Sequence, residues 1–328
     1  MRFHELSFYP VTCTVPTQRP KILVLATGGT IAGVATAAAT DAGYRAGVLD
    51  VASLLASVPG IEDLAELSSA QPCNIDSKDL DPALWTELAL RVRRWRDDGG
   101  AGCVICHGTD SLEETAYALH CLLPPGPPVV LTAAMLPATA LSADGPRNLY
   151  DAVRVAIDAH AAGRGVLCVL HGTVHGARDV SKVHAPRVDA FDSGPRGPLG
   201  LAGGDGVRFT RVDPRAVTVP LATPTRWPRV ELVCSHAGAD GAVVRALLVL
   251  QQAGELCPPL AGLVAVGTGG GTVHAALQDA LDDAVAAGVR VLVAPRHGVI
   301  DGGPYDGLNA VKLRVRLLLE LAQAASPH

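Results

Sequence analysis

Two threonines set among glycines are the residues of this chain best placed to do chemistry. Thr30 closes the run LVLATGGT, and Thr109, followed by Asp110, closes CVICHGTD. A threonine hydroxyl attacks a carbonyl carbon only when a base stands close to it and donors await the developing oxyanion. Each residue also has an ordinary use. Threonine closes turns, and Asp110, with Glu113 and Glu114 after it, reads as the cap of a helix with an acidic first turn. That use leaves the preceding His107-Gly108 unexplained. Other chemistries find less support. Gly28, Gly29 and Gly33 do not fit the GxGxxG spacing of a dinucleotide loop, and neither do Gly267, Gly269, Gly270 and Gly271. No GxSxG nucleophile elbow occurs. His171, His175 and His184 straddle a strand end and a Gly-rich turn rather than one helix face, so no metal site is expected. Cys103 and Cys106 form a CxxC, but within a strand residues three apart point to opposite faces, which argues against a redox pair.

The elements that must position these residues follow from the apolar pattern. KILVLAT, GCVICH, PPVVLTAAM, GVLCVLH, RVELVCSH, LAGLVAVG and VRVLVAP alternate with helical stretches, the mark of parallel sheets with crossover helices. Several runs are apolar throughout, so both sheet faces should be covered. In such sheets ligands bind beyond the carboxyl ends of the strands, which is where both threonines fall. Asp81 and Pro82 open one helix, with Leu84, Leu88, Val92 and Trp95 along one face. A second starts just after Asp110 and stops at Pro124-Pro125. Residues 192–226 are rich in Gly and Pro and mark a boundary. The expected fold is α/β with two domains, each a largely parallel sheet flanked by helices. The expected division is a leader at 1–20, a larger N-terminal domain at 21–203, a linker at 204–226 and a smaller C-terminal domain at 227–328.

The bulk numbers fit a folded protein. Of 328 residues, 48% are apolar and 18% charged, and the net charge of −5 gives no general attraction to nucleic acid. The basic cluster Arg91, Arg93, Arg94 and Arg96 reads as a solvated helix face. The eight cysteines lack the spacing of a disulfide scaffold. Those in apolar runs, Cys103, Cys106, Cys168 and Cys234, read as buried free thiols of a reducing compartment. The first twenty residues have no apolar stretch of signal-peptide length and no later segment suits a membrane span, so a cytoplasmic protein is expected.

Three segments decide among these possibilities. ATGGTIAG at 26–33, HGTDSLEETAYAL at 107–119 and SADGPRNLYDAV at 142–153 resemble, in order and separation, those of the bacterial L-asparaginase and glutaminase-asparaginase family. Thinner similarity runs from Lys21 to the C-terminus. The resemblance implies hydrolysis of L-asparagine, and to some extent L-glutamine, without a cofactor, in a homotetramer built from intimate dimers. It implies that Thr30 is the nucleophile, assisted by Tyr44 on a mobile loop. Thr109, Asp110 and Lys182 form the second cluster, with Lys182 acting as base or orienting Thr109 by its charge. Ser77 and Asp110 hold the substrate's α-carboxylate and α-ammonium, and Gly29, Thr109 and Ala134 line the scissile amide. Two readings remain beside it: an amidotransferase subunit, which normally carries an extra N-terminal domain where this chain has about twenty residues, and a non-catalytic amino-acid-binding protein.

The chain also departs from the family pattern. Lys78 follows Ser77 where relatives have glutamine or an acid, which places a positive charge beside the substrate-binding serine. Thr272, in GTGGGTVH, replaces an asparagine that reaches a neighbouring subunit's site. RHGVIDGGPYDG is shorter than in many periplasmic relatives, and Asp301 within it receives no assignment.

Overall fold

Seven apolar runs read as strands, and all seven form strands in the computed structural model, which describes residues 19–35, 43–212, 222–224 and 226–324. All but the last two residues of the expected leader lie outside the described residues. In chain order the N-terminal part holds β1 (Lys21–Ala26), β2 (Val34–Ala35), β3 (Tyr44–Arg45), α1 (Val51–Ala56), α2 (Ile61–Leu64), β4 (Glu66–Ala70), α3 (Ala83–Asp97), β5 (Gly102–Cys106) and α4 (Leu112–Leu122). It continues with β6 (Val129–Thr132), α5 (Gly145–Ile157), β7 (Val166–Leu170), β8 (Thr173–Gly176), β9 (Ser181–Lys182), β10 (Phe191–Asp192), β11 (Gly200–Gly203) and β12 (Gly206–Phe209). The remainder is β13 (Arg229–Cys234), α6 (Ala242–Gln252), β14 (Leu260–Gly267), α7 (Ala275–Ala286), β15 (Arg290–Pro295) and α8 (Ala310–Ala324).

Eight strands form the large sheet in the order β12-β11-β8-β7-β6-β5-β1-β4. From β4 to β7 the pairing is parallel; from β7 through β8 and β11 to β12 it is antiparallel. The second sheet, β13-β14-β15, is wholly parallel. β12 therefore lies inside the span expected to be linker, where it completes the large sheet. Its Gly-rich sequence hides it: GLAGGDGVRF is a tight hairpin whose strands carry little apolar signal.

Both faces of the large sheet are covered, as continuous apolar strands require. Leu23, Leu25, Ile105 and Leu131 face a core shared with α3, α4 and α8, while Ile22, Val24, Val104 and Val130 face one shared with α1 and α5. Cys103 falls in the first core and Cys106 in the second, on opposite faces as the strand period demands. α8 also packs on the small sheet through Val230, Val264 and Ala294, so one apolar core joins the C-terminal helix to both sheets.

Two expectations need correction. Cys234 is exposed, because β13 is an edge strand whose burial alternates. The arginine cluster is not simply a solvated face. Arg93 donates to the Leu122 carbonyl at the end of α4, and Arg96 donates to the carbonyls of Pro124 and Pro127. Cations at a helix C-terminus satisfy its orphan carbonyls and oppose its dipole. Burial drives the Cys106 thiol up to about 12 and holds the Cys103 thiol far above its ordinary range. A thiol reagent on the native protein should therefore label Cys234 and Cys257 within minutes and leave Cys103, Cys106, Cys121 and Cys168 unmodified until denaturant is added; peptide mapping checks this.

Candidate active site

β1 and β5 are parallel neighbours, so the loops that leave their carboxyl ends run side by side. The first is bent by Gly28 and Gly29, at φ of 105° and 79°. A Cβ on Gly29 would stand 2.3 Å from the Cα of Gly108 in the second loop, and one on Gly108 would stand 2.5 Å from Ser77 Oγ. Only hydrogen fits at either place. Three segments, 28–30, 75–77 and 107–110, thus meet backbone to backbone. Gly29 N–H donates to the Ile75 carbonyl at 2.9 Å, and Asp110 N–H donates to Ser77 Oγ at 3.2 Å.

On this platform the expected residues form two pairs. Thr30, buried at the start of a 3-10 turn (Thr30–Ala32), lies 2.7 Å through its hydroxyl from Tyr44 Oη on β3. Lys182 on β9 donates from Nζ to Thr109 Oγ1 at 2.9 Å and to Asp110 Oδ1 at 2.6 Å. Asp110 therefore does not cap α4. Ser111 is the capping residue, without a side-chain bond, and the Asp110 carboxylate turns to the lysine. Ser77 is buried and its carbonyl accepts from Ser111 Oγ at 2.7 Å. Ala134 is buried just beyond the end of β6.

Comparison with known proteins finds relatives over most of the chain. Residues 21–215 match the family model described as "Asparaginase, N-terminal". L-asparaginase 2 of Escherichia coli K12 is 36% identical, covering 94% of this chain and 91% of its own. The glutaminase-asparaginase of Pseudomonas fluorescens biotype A is 34% identical over 90% of this chain and 79% of its own. The crystal structure of a probable cytoplasmic L-asparaginase from Campylobacter jejuni superposes with a TM-score of 0.86, at 34% identity, covering 94% of this chain and 97% of that one.

The chain belongs to the asparaginase family. Among the described residues no helix is long and apolar enough to cross a membrane.

Within this asparaginase-family chain the structure adds a group that the sequence left unexplained. His107 is fully buried, and desolvation lowers its pKa to about 4, so the ring is neutral at physiological pH. Its Nδ1 lies 2.8 Å from the Gly108 carbonyl, which can only accept, so Nδ1 carries the proton. Nε2 then accepts from Thr115 Oγ1 at 3.0 Å, and that hydroxyl accepts from Trp85 Nε1 at 2.9 Å. The chain of donors runs from α3 through α4 to the carbonyl directly before Thr109. Of the other histidines, His175 is buried against Ser193 at 2.8 Å, and the described residues hold no cluster suited to a metal ion.

The departures take definite places. Lys78 Nζ bonds to Asp79 and lies 3.9 Å from Asp76. Thr272 closes its own loop: its hydroxyl lies 3.0 Å from the Thr268 carbonyl and 2.9 Å from the Thr268 hydroxyl. Asp301 lines an open groove of about 670 Å³ that Lys182 also borders.

The glycine contact and the histidine chain are both testable by thermal and urea unfolding. Gly29→Ala should destabilise the fold by about 1–3 kcal/mol, since the added carbon meets backbone and the residue sits at positive φ. Thr115→Val, which strands the buried His107 nitrogen and the Trp85 N–H, should do so by about 1–3 kcal/mol. Unchanged midpoints would contradict these contacts.

Proposed function

We propose that this protein hydrolyses the side-chain amide of L-asparagine to L-aspartate and ammonia, with L-glutamine as a second substrate, through an acyl-enzyme on Thr30. The observation that carries the reading is the pair of hydroxyl-centred clusters, Thr30 with Tyr44 and Thr109 with Lys182, on loops that touch at Gly29 and Gly108. Membership of the asparaginase family sets the reaction class, and the names of the relatives point to these two substrates.

In this reading Thr30 Oγ1 attacks the amide carbon as its proton passes toward Tyr44 Oη. The resulting oxyanion collapses, and the amide nitrogen leaves as ammonia with the proton that Thr30 gave up. A water then adds to the ester; its hydroxyl stays with the acid and its remaining proton restores the Thr30 hydroxyl. Thr109 sits across the amide, held by Lys182, which orients it or takes its proton during the water step. Asp110 meets the substrate's α-ammonium and Ser77 its α-carboxylate, while backbone groups of Gly29, Thr109 and Ala134 line the amide. Lys78 follows Ser77 directly and places a cation beside the carboxylate end.

We extend the proposal to a homotetramer of intimate dimers acting in the cytoplasm. Leu232 and Val293 of the small sheet and Val243 and Val249 of α6 are exposed, a distribution suited to self-association. The seven described cysteines are free thiols, as a reducing compartment favours.

Purified protein should release ammonia from L-asparagine and more slowly from L-glutamine. Thr30→Ala and Thr109→Val should each lower kcat by roughly 10³-fold or more, as loss of a nucleophile or its partner does elsewhere. No release from any amide would refute the activity, and full activity in Thr30→Ala with loss in Thr109→Val would exchange the two roles. Gel filtration tests assembly: a fully active monomer contradicts it.

A further inference from the structure

Lys182 lies on a strand of two residues, Ser181 and Lys182, paired only with Phe191 and Asp192 of β10. So short a ladder cannot fix a side chain to hydrogen-bond precision. Each residue of this segment is instead tied to one buried cluster. The Val180 carbonyl accepts from Lys312 Nζ on α8. Ser181 Oγ donates to Glu113 Oε2 at 3.0 Å, and Lys182 N–H donates to Glu113 Oε1 at 3.3 Å. Glu113, on the first turn of α4, is itself held from the C-terminal helix. Asn309 Nδ2 donates to its Oε2 at 2.8 Å, and Lys312 Nζ lies 3.8 Å from the same oxygen. Asn309 also lies 2.9 Å from Ser181 Oγ through Nδ2 and caps α8 by accepting from Lys312 N–H at 2.9 Å.

We propose that Lys312 and Asn309, acting through Glu113, are positioning residues that set the place of Lys182 and thereby couple the C-terminal helix to the second threonine cluster. The inference rests on the role given above to Lys182. Three observations carry it. Lys312 is 1% exposed in the first turn of α8, whose other buried residues are all apolar, and leucine or methionine there would pack without the desolvation of a charge. A buried ion pair is a poor source of stability but a good source of register. The pair's remaining hydrogen bonds all end on 180–182 or on the helix start, so the register it sets is that of Lys182. Only four of the chain's 27 basic residues are lysines, and the structure puts two of them in this one neighbourhood. A lysine's single ammonium can reach the Val180 carbonyl and the carboxylate from one buried point, a task the broad planar guanidinium suits poorly.

The test uses the full-length protein and two readouts. The first is ammonia release from L-asparagine by Lys312→Met, Asn309→Ala, Lys182→Met and the double variant Lys182→Met with Lys312→Met. Lys312→Met should lower kcat by roughly 10- to 100-fold with KM within about threefold, Asn309→Ala less so. In the Lys182→Met background, Lys312→Met should change kcat no further, because the group it positions is gone. A purely structural role predicts the same fractional loss in both backgrounds, and that result overturns the proposal. The second readout does not need activity: amine labelling of native protein, read by mass spectrometry. Lys182 should label several-fold faster in Lys312→Met and Asn309→Ala, while Lys21 and Lys78 stay at wild-type rates. If Lys312→Met does not fold, Asn309→Ala, a half-buried position, decides by both readouts. Unchanged Lys182 labelling in every folded variant refutes the positioning role whether or not the wild-type protein cleaves asparagine. Altered labelling with no amidase activity in the wild type instead refutes the function proposed for the site.

Discussion

The close approach of two strand-end loops governs the rest of this site. Adjacent parallel strands lie about 4.8 Å apart, so the segments that leave β1 and β5 on the same side must either diverge or touch. Here they touch, because Gly29 and Gly108 meet with no side chain on either. The consequence is chemical. The residues directly after these glycines are Thr30 and Thr109, and backbone contact between the glycines brings the two hydroxyl clusters to one place. A larger residue at either glycine would open the loops and part the threonines. The third loop, through Ser77, closes the gap from the side of β4, since its hydroxyl occupies the space that a Gly108 side chain would need.

Holding two irregular loops in this contact needs polar partners for their buried backbone, and the structure supplies them from the surrounding helices. The donor chain Trp85, Thr115, His107 ends on the Gly108 carbonyl. It works because the ring is neutral. A protonated ring would donate from both nitrogens, so the Thr115 hydroxyl, already accepting from Trp85, would accept a second time and lose Nε2 as the acceptor for its own proton. Burial that depresses the His107 pKa is thus part of how the loop is held. On the far side, Arg178 donates to the Asp306 carbonyl and Arg196 reaches the Asp306 carboxylate at 2.8 Å, which fastens the segment before α8 to the N-terminal part.

How much of this is legible in the sequence depends on whether the relevant signal is local. Buried parallel strands are apolar at nearly every position, so β1, β5, β6, β7 and β14 announce themselves. The edge strand β4, ELSSA, is mostly solvent-facing and carries no such run, and β11 and β12 are disguised by glycine. The threonine clusters stand out because both sit in short Gly-rich motifs, and the family resemblance adds Tyr44 and Lys182, which local reading alone would leave on the surface. The histidine chain is not legible: residues 85, 107 and 115 come together only once α3 and α4 pack. Asp110 reads as a cap because the sequence cannot reveal a lysine 72 residues later competing for its carboxylate. Lys312 sits in an amphipathic pattern where lysine ordinarily points to water. Its one local cue is composition, since arginine is this chain's usual cation.

The same distinction between a residue type and its partners bears on Lys78. By sequence it places a positive charge beside the serine assigned to the substrate carboxylate. In the fold that charge is flanked by Asp76 and Asp79, and its side chain is 59% exposed. An exposed ammonium paired with one carboxylate and near a second projects little field beyond a Debye length of about 8–10 Å. Its reach toward the site is therefore set by what Asp79 does. While the pair holds, Asp79 offsets the positive charge beside Ser77. Lys78 is thus an exposed cation held by surface carboxylates, whereas the Lys182 ammonium is held by Thr109 and Asp110.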